Sequence, residues 1–77
     1  MTTKLDIRKA QEGDVVELLV DFPEYKLRKG QRGVVITEFE QPAEAYDLEI
    51  EDEAGRFVGF AYSVKPAQIA NLSRGSS

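Results

Sequence analysis

Residues 46–51 read Tyr-Asp-Leu-Glu-Ile-Glu. Apolar side chains take the even positions and carboxylates the odd ones. A period of two belongs to an extended strand, whose successive side chains point to opposite faces. Tyr46, Leu48 and Ile50 are therefore expected in a core, and Asp47, Glu49 and Glu51 in water. The next four residues, Asp52-Glu53-Ala54-Gly55, supply a hairpin turn, with Gly55 suited to positive φ. Phe57 to Tyr62 (FVGFAY) returns as a second strand. Val58, Phe60 and Tyr62 share one of its faces, and Gly59 marks a bulge or a close approach.

Working outward from this hairpin, the upstream chain repeats the pattern of short strand and breaker. Val34 to Glu40 reads as a strand, followed by a loop around Pro42. Gly13-Asp14 is a turn that launches the β-branched run Val15 to Val20. Pro23 then breaks that run, because it cannot donate to a ladder and biases Phe22 to an extended conformation. Asp21 to Gly33 is a loop of about a dozen residues, long for a compact domain. Downstream, Pro66 to Ala70 predicts one helical or 3₁₀ turn, and Leu72 a last short strand. Four or five short strands with almost no helix would leave a flat sheet with a wet apolar face and open edges. Closure into a small barrel removes both. The expected fold is all-β, a small SH3-like barrel of four to five antiparallel strands with a 3₁₀ or short helical turn near the C-terminus. Residues 1–12 read as an N-terminal extension, 13–72 as the barrel and 73–77 as a flexible tail.

The run Gly13 to Phe39 (GDVVELLVDFPEYKLRKGQRGVVITEF) resembles a widespread, uncharacterised family of small bacterial SH3-like proteins. Members read roughly as GD, an apolar strand, D-L-P-E-Y-G-L, a basic or polar pair, G, then G-T-V-V. The matching positions are Gly13, Asp14, Asp21, Pro23, Glu24, Tyr25, Leu27, Gly30 and Gly33. The later stretch Tyr46 to Ile69 is similar to that family's Y-x-V-E-F-x-D-x-x-G-R hairpin and closing segment. The likeness covers roughly residues 13–72. Phe22 stands where Leu is usual, Lys26 where Gly is usual and Val34 where Thr is usual. The resemblance implies a fold and no established activity. More distant SH3-like relatives serve as accessory subunits of photosynthetic complexes or of nitrile hydratase, and as ribosomal or transcription modules. Fold alone does not carry those roles over.

Composition narrows the chemistry. The 77 residues contain no histidine and no cysteine. Ser-His-Asp and Cys-His machinery, disulfides and the common zinc sites are excluded. Neither phosphate-cradling glycine motif is present. Gly30-Gln31-Arg32-Gly33 is only a GxxG. In nucleic-acid-binding KH domains such a loop joins two helices, whereas here it abuts a β-branched strand and reads as the turn that opens it. The acids at 47–53 follow no EF-hand spacing and suit the solvated tip of a hairpin. No enzyme activity, metal or cofactor is expected. No apolar run is long enough to span a membrane, and Met1 to Gln11 lacks the apolar stretch of a signal peptide. A cytoplasmic protein is expected. So small a core leaves both self-association and a marginally stable monomer open.

Charge is unevenly placed around a net value of −4. Lys26, Arg28, Lys29 and Arg32 give four cations with no acid between them, whereas Glu38 to Glu53 holds eight acids and no base. The loop is therefore the candidate site. Phe22 and Tyr25 flank Pro23 as aromatic anchors beside Lys26, Arg28, Lys29 and Arg32, and aromatic residues with Arg dominate protein-contact hot spots. The competing reading tucks Phe22 and Tyr25 back over the open end of the barrel. A protein partner is expected, or a homo-oligomer in which the basic loop meets the acidic strands of another copy. The alternative is a nucleic-acid-binding, KOW-like module using the same cations, against which the acidic balance argues. A groove for proline-rich ligands is not expected, since the chain has no tryptophan.

Overall fold

A computed structural model of the chain describes residues 10–73. The parts of the expected extension and tail at residues 1–9 and 74–77 lie outside the described residues. Five strands form one antiparallel sheet: β1 (Val15–Leu18), β2 (Arg32–Phe39), β3 (Ala45–Glu51), β4 (Phe57–Val64) and β5 (Ile69–Asn71). Single 3₁₀ turns occupy Pro23–Tyr25 and Pro66–Gln68. The spatial order is β4-β3-β2-β1-β5, so the chain makes two successive hairpins and then returns beside its first strand. The all-β class, the antiparallel strands and the late 3₁₀ turn are as the sequence predicts.

Closure differs from the expectation. The sheet is open, with β4 and β5 as its edges. Among the described residues no ladder joins them; instead the Asp21–Gly30 loop reaches from the end of β1 across to β4, where Tyr25 meets Tyr62. β5 has only three residues, too few to pair along both of its sides for any length.

The core gathers on one face of this sheet. Val16, Leu18, Leu48, Ile50, Ala61 and Val64 are wholly buried, and Val35, Tyr46 and Ile69 join them. Each large aliphatic side chain so buried contributes about 1.5–3 kcal/mol. β3 alternates as its sequence demands, with Tyr46, Leu48 and Ile50 inward. Burial and a hydrogen bond donated to the Glu44 carboxylate both push the Tyr46 hydroxyl well above the usual tyrosine range.

Contacts reach both ends of the described residues. Ala10 is buried in the core. The Val15 N–H donates to Ser73 Oγ (2.7 Å), which ties the chain after β5 to the start of β1.

The glycines of the GxxG do different work. Gly30 adopts φ +96° in the turn before β2, where an L residue is strained. Gly33 lies inside β2, paired with Val16 and Ile50. A Cβ there would sit 2.5 Å from the Glu49 carbonyl oxygen and 2.6 Å from Ile50 Cδ1. The predicted turn is thus Gly30 alone, and Gly33 is required by close strand packing.

Candidate functional site

The Asp21–Gly30 loop is held in shape by its own backbone. Phe22 and Leu27 bridge each other, with Phe22 N–H donating to the Leu27 carbonyl (2.9 Å) and Leu27 N–H returning to Phe22 (3.0 Å). Pro23 starts the 3₁₀ turn between them, where its missing N–H costs nothing. The turn ends at Lys26, which adopts φ 61°, ψ 37°. This is the left-handed conformation, and lysine occupies a place suited to glycine. The Lys29 N–H donates to Asp21 Oδ1 (2.8 Å) and the Arg28 N–H to Gln31 Oε1 (2.7 Å), closing the loop on itself.

That geometry divides the predicted site. Phe22 is a core residue, buried together with Leu27, and is not available to a partner. The reason is the tight bridge, which turns both side chains inward over the end of the sheet. Tyr25 is half-buried and packs edge-on against Tyr62 at 5.9 Å between ring centroids. Lys26, Arg28 and Lys29 are exposed on the loop, in the company of exposed Asp21 and Glu24. Arg32 departs from them. It lies on β2, and its cross-strand neighbours are Glu17 on β1 and Glu51 on β3. Its charge is offset locally by two carboxylates on the same face of the sheet.

The outward face of β4 carries what the sequence did not single out. Phe57, Val58, Phe60 and Tyr62 are 56, 41, 40 and 49% exposed. Their rings form a continuous strip: Phe57 to Phe60 at 5.0 Å, Phe60 to Tyr62 stacked at 5.9 Å, then Tyr62 to Tyr25. The strip lies on an edge strand whose eight residues include no charge and no proline. Two bulges shape it. Val58 is the extra residue between Phe57 and Gly59, and a second irregularity separates Ala61 from Val64. Within the second, Ser63 adopts φ 54° and its N–H donates to Asp47 Oδ1 (3.0 Å). The signal for this surface was the small residues of FVGFAY. Gly59 and Ala61 occupy the inward side, so the bulky residues had to face out.

The acidic hairpin tip is used for structure. Asp52 Oδ1 accepts from the N–H groups of Ala54 and Arg56, both at 2.9 Å, and Oδ2 accepts from Arg56 Nε at 3.2 Å. Gly55 completes the turn at φ +84°. An open groove runs between this hairpin and the Gly30–Val34 segment, lined by Arg32, Glu51 and Arg56. Among the described residues, no group of three or more acids gathers in a way that could hold a metal ion. No helix among them is long and apolar enough to cross a membrane.

A family model described as a domain of unknown function, DUF4926, matches residues 12–69. The chain belongs to the DUF4926 family. The matched span starts just before the Gly13 turn and ends at the first residue of β5, so the family's domain holds the Asp21–Gly30 loop, both hairpins and the β4 strip. No curated protein and no solved structure matches the chain.

Proposed function

We propose that this DUF4926 chain is a non-enzymatic protein-interaction module, an accessory part whose contact surface runs from Tyr25 and Lys26 of the loop along the outward face of β4. One observation carries the reading. Four exposed apolar side chains, three of them aromatic, adjoin one another on an edge strand that has no charge. Soluble proteins normally blunt such an edge with lysine, proline or a covering element. A contiguous exposed aromatic patch marks a contact surface. The loop cations Arg28 and Lys29 stand beyond Tyr25 and steer an approaching partner rather than anchor it.

Nucleic acid is the weaker reading of the same cations. Arg32 stands between Glu17 and Glu51, and β3 presents Asp47, Glu49 and Glu51 beside the strip. A polyanion would meet those acids first.

The test is affinity capture from a lysate of the protein's own cells, with and without nuclease, beside a Phe57→Ser, Tyr62→Ser variant. The expected result is a nuclease-resistant protein retained by wild type and lost by the variant, or self-association lost by it. Partners captured equally by both would remove the reading. Material that disappears with nuclease would favour the nucleic-acid alternative.

A further inference from the structure

We propose that the β4 edge binds a second copy of this chain, β4 against β4 in antiparallel fashion about a two-fold axis near Phe60. This rests on the reading of the strip as a protein-contact surface and names its partner.

Several features of the edge suit a second copy. The strand is uncharged from Phe57 to Val64, so two copies of a chain with net charge −4 can meet there without facing like charges. The nearest acid row, Asp47, Glu49 and Glu51, lies one strand inward on β3. Across a joined β3-β4-β4-β3 sheet, the two acid rows stand three strand spacings apart, about 14 Å. That exceeds the screening length of about 8 Å at physiological salt.

The ends of the strand have opposite character. Lys65 follows β4 directly, and the hairpin tip that precedes it carries Glu51, Asp52 and Glu53 against one cation, Arg56, which pairs with Asp52. Antiparallel pairing about Phe60 brings Lys65 of each copy to the hairpin tip of the other, twice by symmetry. A parallel arrangement would place like ends together.

The bulges at Val58 and before Val64 limit the regular stretch to Gly59–Ala61, and the Tyr62 carbonyl already accepts from the Tyr25 hydroxyl. Main-chain pairing is therefore short. The rings of Phe57, Phe60 and Tyr62 provide most of the buried area, each ring with a payload of up to about 150–250 Å² when fully covered. These side chains are already half-covered, so the interface falls below the about 1,200 Å² of a stable complex. The dimer is accordingly concentration-dependent.

The test is sedimentation equilibrium on purified full-length protein from about 10 µM to about 1 mM, a range that resolves weak dissociation constants. Wild type is expected to rise from 8.6 kDa toward twice that mass. Phe60→Lys puts a cation on the edge, opposite Glu49, where the monomer tolerates it. It should weaken association at least about tenfold with the melting temperature at low concentration unchanged. Val58→Lys, at the bulge, repeats the test should Phe60→Lys fail to fold. Lys65→Glu should weaken the dimer, and adding Glu53→Lys should restore it. A wild-type mass that stays at 8.6 kDa throughout, or a dimer indifferent to both edge lysines, overturns the proposal. A monomeric wild type that still captures a lysate protein through Phe57 and Tyr62 gives the edge to a different chain, which overturns the dimer and leaves the contact surface standing.

Discussion

β3 and β4 are neighbours in one sheet and use their two faces in opposite ways. β3 buries Tyr46, Leu48 and Ile50 and turns Asp47, Glu49 and Glu51 outward. β4 buries Ala61 and Val64 and turns Phe57, Phe60 and Tyr62 outward. The register makes the contrast direct, because Leu48 pairs with Ala61 and Glu49 with Phe60. Opposite Leu48, β4 supplies only the methyl of Ala61, and opposite Ile50 only Gly59. The bulk that β4 withholds from the core is spent on its outer surface. Ordinary stability does not ask for three rings in water, and a contact surface does.

The sharpest way to break this comparison is to truncate one residue on each strand. Leu48→Ala removes a fully buried side chain and should cost about 2–5 kcal/mol through lost transfer energy and the cavity left behind. Phe60→Ala, one position along and across the sheet, should cost less than about 1 kcal/mol, because its side chain is 40% exposed. Urea titration of both variants at low protein concentration checks it. Similar losses at the two sites would mean that the β4 rings hold up the fold, and the contrast would collapse.

The two strands also differ in how much of them was legible beforehand. Strict alternation of charge and apolar character on β3 assigned every side chain to its face, because no carboxylate would be buried unpaired there. On β4 the alternation showed which residues share a face but not which face that is. Both sets are uncharged, so the choice fell to the space available inside, which is set by residues distant in sequence. The loop shows the same division. That Pro23 ends the first strand and that a glycine turn opens the second followed from proline and glycine chemistry. The burial of Phe22 depended on its bridge to Leu27, which no local pattern announces. Tyr25 was found from the motif, but Tyr62, the ring it packs on, lies 37 residues away. Arg32 looked like part of a basic run, and only the register set it between Glu17 and Glu51.

Enlarging the small inward residue of β4 sharpens the comparison from the other side. Ala61 is wholly buried opposite Leu48. Ala61→Leu should destabilise by about 1–3 kcal/mol, as overpacking does when neighbours cannot yield. A thermal melt checks this. A stability equal to wild type would mean that the core beneath β4 has room to spare, and the explanation for its outward rings would fail.

The smallest effect concerns the residue that sets Tyr25 on the strip. Lys26 holds the left-handed conformation at the end of the 3₁₀ turn, with φ 61° and no side-chain feature that requires a lysine there. For an L residue that conformation costs about 1–2 kcal/mol, part of which glycine gives back as unfolded-chain entropy. Lys26→Gly should therefore raise stability by about 0.5–1 kcal/mol, a shift of a few degrees in melting temperature for a domain of this size. The turn keeps its shape, so Tyr25 stays against Tyr62 and association through β4 should be unchanged. A gain in stability with association preserved separates the two roles of the loop: its backbone shapes the turn, and its aromatic ring extends the surface of β4. A loss of association without a loss of stability would instead make the Lys26 cation part of the contact, and would move the centre of the surface from β4 back into the loop.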